Sequence, residues 1–220
     1  MIDIHCHMLP KADHGSSSLE DSLKQLKMAK KYGIASIICT PHFYPFNDSI
    51  DKFLTRRETA FNELSEANDT GIKLYKGAEV RLATGLSQNK KIRKLVIEDT
   101  SYILIEMPSS VWNNMLLNEI AKIQSLGLTV IIAHLERYSP KQVQKLMALD
   151  VLAQVNAYSL FTPVLAWRTR KYIRNSMVNF IASDTHIYNY MLTYRALKKS
   201  HFILGSTFNK FMNNAARLLV

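Results

Sequence analysis

The chain has 220 residues, 47% hydrophobic and 21% charged, which excludes a disordered or fibrous protein. No apolar run is long enough to cross a bilayer, and two cysteines, Cys6 and Cys39, are too few to staple the chain, so a reduced cytoplasmic protein that is not an integral membrane protein is expected. The 28 basic and 18 acidic residues leave a charge of +10, which favours anionic partners, yet the basic clusters Lys90-Lys91, Arg168–Lys171 and Lys198-Lys199 match no nucleic-acid module.

The opening residues form an apolar-alternating run, Met1–Cys6, without the basic start and long apolar stretch of a leader. Leu19, Leu23, Leu26 and Ala29 then recur at helical spacing, with Ser17 and Glu20 placed as a capping box. Further β-branched runs follow at Ala35–Thr40, Ile72–Glu79, Tyr102–Glu106, Leu128–His134, Val151–Asn156 and Val178–Asp184, separated by helical segments. One of these helices, carrying Leu116, Ile120 and Ile123, is closed by Gly127, and another opens at Ser139-Pro140 with Gln142 as its box partner. Seven nearly continuous apolar strands alternating with helices predict a parallel α/β sheet in one domain over residues 1–220. A barrel and an open doubly wound sheet are both compatible with that rhythm.

The unusual polar residues fall where strands end: His5 and His7, His42, Glu79, Glu106, His134, Asp184 and His186. In parallel α/β folds those ends open on one face, where active sites lie. A single histidine there is ordinarily a hydrogen-bonded rim residue. Six of the seven at or just after strand ends form a pattern, and His201 reads as surface. Glu106 lies between Ile105 and Met107, where a carboxylate costs several kcal/mol unless a cation or strong donors meet it. Alternation in His5-Cys6-His7 puts both imidazoles on one side and turns Cys6 towards packing. Imidazoles and carboxylates without thiolates suit manganese, iron or zinc.

The chain resembles the PHP (polymerase and histidinol phosphatase) superfamily, and within it the bacterial tyrosine-protein phosphatases of capsule and exopolysaccharide gene clusters. The resemblance rests on His5-x-His7, Thr40-Pro41-His42, Gly77–Arg81, Tyr102–Glu106, Ala133–Arg137, Ser183–His186 and the closing Asn214–Leu219, in that order. It implies a distorted (β/α)7 barrel, with the active site at the carboxyl ends of its strands, and up to three Mn2+ ions. His5, His7, Glu79 and Asp184 would hold the first ion, Glu79, Glu106 and His134 the second, and His42 and His186 the third. Arg137 would grip the phosphate as the catalytic arginine. Related chains read Asp-Asp-Gly where this one has Asp13-His14-Gly15, so His14 is expected at the third site, which would then suit zinc or iron, with Asp13 as the alternative ligand through a shift of the loop. The usual arginine after the last histidine is missing, and Arg195 lies further along.

The implied substrate is the phosphotyrosine tail of a membrane-associated bacterial tyrosine kinase, met in the cytoplasm or at the inner face of the membrane. Nucleic acid is not expected as a partner, and an oligomer is compatible with the sequence. Two other readings stay open: a phosphatase of small phosphomonoesters such as histidinol phosphate, and a non-catalytic module that kept the fold.

Overall fold

The computed structural model describes residues 1–109 and 112–219. Its parallel strands run in the order β1 (Ile2–Cys6), β2 (Ser36–Cys39), β4 (Lys73–Lys76) on one side and β3 (His42–Phe43), β5 (Glu79–Arg81), β6 (Tyr102–Glu106), β7 (Thr129–Ile132), β8 (Leu152–Asn156), β9 (Phe180–Ala182) on the other. Two of the seven expected strands therefore differ from expectation. The first, Ala35–Thr40, forms β2 and resumes beyond its expected end as the short β3, with Pro41 interrupting the stave because it has no N–H for the ladder. Gly77 interrupts the second, where the backbone passes so close to Ile38 and Thr40 that a Cβ would lie 3.0 Å and 3.1 Å from their methyls. Pairing continues through both breaks, with Gly77 N donating to Cys39 O at 2.9 Å and Glu79 N to Pro41 O at 3.1 Å. The circuit closes where Asp184 N donates to His5 O and His7 N to Thr185 O, each at 2.9 Å. The result is a distorted seven-stave barrel.

Inside it, Ile4, Ile38, Leu104, Ile131 and Phe180 meet although their strands are not all neighbours, which only a curled sheet permits. Between strands and helices lies the larger core, where Cys6, Ile37 and Cys39 pack with Leu26 and Ala29 of α1 (Leu19–Lys31). The pairing of β1 slips from Asp3↔Ile37 to Cys6↔Cys39, three residues advancing against two. Such a bulge re-aims side chains at a barrel rim, and here it precedes His7.

Helix α1 is capped by Ser18, whose side chain accepts from Asp21 N, rather than by Ser17, whose hydroxyl bonds the Asp21 carboxylate at 2.5 Å. The other two expected helix signals hold. Gly127 takes φ 76° after α3 (Asn114–Ser125), and Ser139, Pro140 and Gln142 build a capping box on α4 (Pro140–Met147). Beyond α2 (Ile50–Ala67), α5 (Ala166–Arg174) and α6 (Tyr190–Leu204), the last helix, α7 (Ser206–Ala216), packs on β1 and β9. No described helix is long and apolar enough to cross a membrane.

Candidate metal centre

The strand breaks bring His42 and Glu79 opposite each other, and β5 sets Arg81 beside Glu106 at the end of β6. His134 and Asp184 follow β7 and β9 in left-handed backbone, φ 35° and 52°. That conformation costs a side-chain-bearing residue about 1–2 kcal/mol. It is offset where His134 N donates to the Gln154 carbonyl oxygen at 2.8 Å and Arg137 N to His134 O at 2.9 Å. The kinks turn both side chains onto the barrel mouth.

The imidazoles converge in a consistent way. Because the backbone N–H of His134 can only donate, the atom of Gln154 that receives it is the oxygen, and His5 Nδ1, 3.2 Å from that oxygen, must donate too. His7 Nδ1 is held by Asp13 at 2.7 Å, His186 Nδ1 by the Asp184 carbonyl at 3.2 Å, and His134 Nδ1 lies 3.3 Å from the Tyr138 hydroxyl. Four rings are thus anchored through Nδ1 and present Nε2, while His42 presents Nδ1. The inward nitrogens of His5 and His7 stand 3.1 Å apart. Glu79 Oε2 lies 2.9 Å from His42 Nδ1 and 3.3 Å from the Nε2 of both His5 and His7. Glu79 Oε1 is 2.9 Å from His134 Nε2, with Glu106 Oε1 3.6 Å from the same nitrogen. Asp184 Oδ1 lies 3.4 Å from His7 Nε2 and 3.7 Å from His5 Nε2.

Several of these buried atoms, His42 Nδ1, Glu79 Oε2 and His186 Nε2, have no aligned hydrogen bond, while Glu106 Oε2 is met by the Arg81 guanidinium at 3.0 Å. Buried polar atoms without partners are costly and rare. Unpartnered donor atoms sharing one small volume fit divalent cations, whose ligands point at a centre rather than at each other. Among the described residues, three groups could hold an ion: His5, His7, Asp184; His7, His42, His186; and His42, Glu79, Glu106.

Protonation follows the same geometry. Burial would push the Glu79 carboxyl up, but the imidazoles of His5, His134 and His42 outweigh it and hold Glu79 well below the ordinary carboxylate range. Asp184 is likewise held down against burial, by His5, His7 and Arg137. Burial, with His7 adding to it, draws His186 down to about 3, and burial lowers His134 as well. Both rings stay neutral and keep a lone pair for an ion. His7 goes the other way, because the Asp13 carboxylate overcomes burial and raises it well above its ordinary value.

Residues 1–201 match the model of the CpsB/CapC capsular polysaccharide synthesis family. This chain belongs to that family. It is 32% identical over 201 residues to the putative tyrosine-protein phosphatase CapC of Staphylococcus aureus, covering 84% of this chain and 77% of that one. It is 31% identical over 199 residues to the tyrosine-protein phosphatase YwqE of Bacillus subtilis, with the same coverage. The solved structures of the metal-dependent tyrosine phosphatases YwqE of Bacillus subtilis and CpsB of Streptococcus pneumoniae include a chain that superposes with TM-score 0.84 at 26% identity, covering 100% of this chain and 94% of that one.

Within this CpsB/CapC chain, every expected site residue lies at one barrel mouth, in two kinds of position. His5, His7, His42, Glu79, Glu106, His134, Asp184 and His186 converge, whereas His14 is exposed on the rim, its ring stacked at 4.9 Å on His42 and 4.8 Å on His186. The neighbouring carboxylate is the one turned inward. Asp13 accepts from His7 Nδ1 at 2.7 Å, His42 N at 2.9 Å and Gly15 N at 2.8 Å, so both its oxygens are engaged in orienting other groups. Gly15 is obligatory there, since a Cβ would lie 2.1 Å from His7 O. Arg137 bonds Asp184 Oδ2 at 2.5 Å, with Asn156 on the same oxygen at 2.7 Å.

Sequence reasoning missed Gln154, Asn156 and Tyr138, the buried groups that orient the ligands. The available signal was a glutamine and an asparagine in the apolar run Leu152–Asn156, where an unsatisfied amide would be expensive.

Proposed function

We propose that the chain is a metal-dependent protein-tyrosine phosphatase acting on the phosphotyrosine tail of a membrane-associated bacterial tyrosine kinase, and thereby regulating capsule or exopolysaccharide synthesis. The observation that carries this reading is the set of imidazoles turned inward on buried, ionised carboxylates, with His42 Nδ1 and His186 Nε2 left unpartnered. The activity of the relatives CapC, YwqE and CpsB supports the substrate class. Residues 1–220 act as one catalytic unit, supported by the packing of α7 on β1 and β9.

His5, His7, Glu79 and Asp184 would hold one ion; Glu79, Glu106 and His134 a second; His42 and His186 a third, with His14 above it at the rim. Carboxylate-rich positions suit Mn2+, and the histidine-rich third position suits Zn2+ or Fe as well. Bound divalent ions would supply Lewis-acid charge and an activated water for in-line attack on phosphorus. Arg137, half exposed at the mouth, can offer its guanidinium fork to the phosphate oxygens and is tethered to Asp184 on the other side. The bond broken joins phosphorus to the tyrosyl oxygen, which leaves readily because its conjugate acid has a pKa of about 10. No thiol takes part in this reading: Cys6 and Cys39 are buried, and burial pushes the Cys6 thiol up.

The test is hydrolysis of phosphotyrosyl peptide, phosphoseryl peptide and histidinol phosphate alongside metal analysis. Chelation should abolish phosphotyrosyl hydrolysis, Mn2+ should restore it, and His134→Ala should lower it by orders of magnitude without unfolding the chain. Preference for histidinol phosphate would replace the substrate, and full activity without metal would sink the mechanism.

A further inference from the structure

The net charge is not spread over the molecule. Residues 151–220 contain nine lysines and arginines and a single carboxylate, Asp184, which is buried in the metal centre, so this stretch carries +8 of the +10. The same stretch holds most of the large apolar side chains that face solvent. Tyr158, Phe161, Val164 and Trp167 stand out along the segment leading into α5, with Val164 81% and Trp167 62% exposed. The outer side of α6 presents Met191, Leu192, Arg195, Lys198, Lys199 and Phe202, three apolar groups and three cations with no acid among them.

These pieces form one surface. Helices α5 and α6 both pack on the short 3-10 turn Ala157–Phe161 between them. A shallow groove of about 210 Å³ joins Tyr158 and Phe161 to Leu192, Arg195 and Lys199. Lys171 lies 5.2 Å over the Trp167 ring. Among the described residues, none of the exposed cations Arg170, Lys171, Arg174, Arg195, Lys198 and Lys199 has a carboxylate within ion-pair distance, whereas Arg56, Lys76 and Lys91 elsewhere are paired. The surface borders the metal centre, since the Tyr188 ring packs 5.2 Å from His186, and Tyr158 also lines the cavity that holds Arg137 and Asp184.

We propose that this α5–α6 face docks the protein on an anionic phospholipid surface, with the metal centre held beside the membrane. The inference deepens the proposed function by saying where the enzyme meets its substrate, but it rests on different residues. Unpaired cations supply attraction to anionic headgroups, and protruding Trp, Val, Met and Phe side chains supply insertion into the interface. A second copy of the chain is disfavoured because two such faces would repel. A bound peptide would need its apolar contacts gathered in a groove, whereas Val164, Trp167 and Phe202 project outward. Single-stranded nucleic acid could stack on the Tyr158, Phe161, Trp167 and Phe202 rings, but it would leave the exposed aliphatic Val164, Met191 and Leu192 without a role, whereas a lipid interface uses both kinds of side chain.

Vesicle co-sedimentation of the full chain tests this, comparing phosphatidylcholine vesicles with vesicles that also contain phosphatidylglycerol. The protein should partition onto the anionic vesicles, stay off the neutral ones, and be released by salt. Each cation near such a surface is worth about a fivefold gain in partition, so Lys198→Gln with Lys199→Gln should weaken binding about twenty-five-fold. Trp167→Ala should weaken it without changing its salt dependence. Hydrolysis of a small soluble aryl phosphate should be unchanged in all variants. No binding to anionic vesicles, equal binding to neutral ones, or binding indifferent to these substitutions overturns the proposal. So does a surface whose substitutions alter only self-association or phosphotyrosyl-peptide affinity. Vesicle binding by a chain without phosphatase activity would uphold this inference while rejecting the function proposed above.

Discussion

Gln154→Met removes the side chain that holds the His5 imidazole and the His134 backbone while nearly keeping its volume. Gln154 is fully buried; its oxygen receives His134 N and His5 Nδ1, and its NH2 donates to Asn156 Oδ1 at 2.8 Å. Asn156 in turn holds Asp184 at 2.7 Å, so one amide reaches three expected metal ligands. Methionine would leave three buried polar groups unpaired, and at about 1–1.5 kcal/mol each, the low end for such groups, the loss is about 3–4.5 kcal/mol. For a chain of this size each kcal/mol moves Tm by about 2–4 °C, so the metal-free variant should melt about 6–18 °C lower. Loss of a ligand-orienting partner should also weaken metal affinity about 10- to 100-fold. Thermal unfolding in chelator and a Mn2+ titration of phosphotyrosyl hydrolysis measure the two effects separately. Gln154→Glu keeps the acceptor for His134 and His5 and should recover much of the metal affinity, which a general packing defect would not do. If Gln154→Met melts with the wild type and its Mn2+ dependence stays within about twofold, the orienting role assigned to this amide is wrong.

Asp13→Ala strips the acceptor from His7 Nδ1, His42 N and Gly15 N and should cripple metal binding and turnover, whereas His14→Ala, at an exposed rim position, should change both far less; the reverse order in metal titrations would make His14 the ligand. A Cys6→Ser, Cys39→Ser double variant should keep most of its activity, and thiol alkylation should be tolerated; a folded but dead variant would restore a cysteine mechanism. Asp3 is pushed up from 3.8 to about 6 by burial, against the opposing bonds from Ser183. A raised carboxyl favours the folded state while protonated, so its contribution is complete below about pH 4 and lost as pH rises through about 6, costing about 3 kcal/mol. Chemical unfolding of chelated protein should therefore show stability falling with pH over that window relative to Asp3→Asn, and parallel curves would refute it.

The list of ligand candidates was legible in the sequence because catalytic side chains in a parallel α/β fold must follow strands, and apolar runs ending in His, Glu or Asp announce those positions. His5, His42, Glu79, Glu106, His134, Asp184 and His186 all came from that rule. The helix signals at Gly127 and Ser139 were local hydrogen-bond and backbone preferences and needed nothing from the rest of the chain. Three things were decided only by the tertiary structure. The break at Gly77 depends on how closely the neighbouring stave approaches, and a run of β-branched residues cannot report that. The roles of Asp13 and His14 depend on a loop whose two polar side chains are equally plausible ligands by type; the barrel mouth turns the carboxylate in, onto His7 Nδ1 and His42 N, and leaves the imidazole stacked on the rim. The work of Gln154 is the clearest case. Its partners lie 149 and 20 residues away, and a single amide in an apolar strand acquires its meaning only when the closed sheet brings His5 and His134 to it.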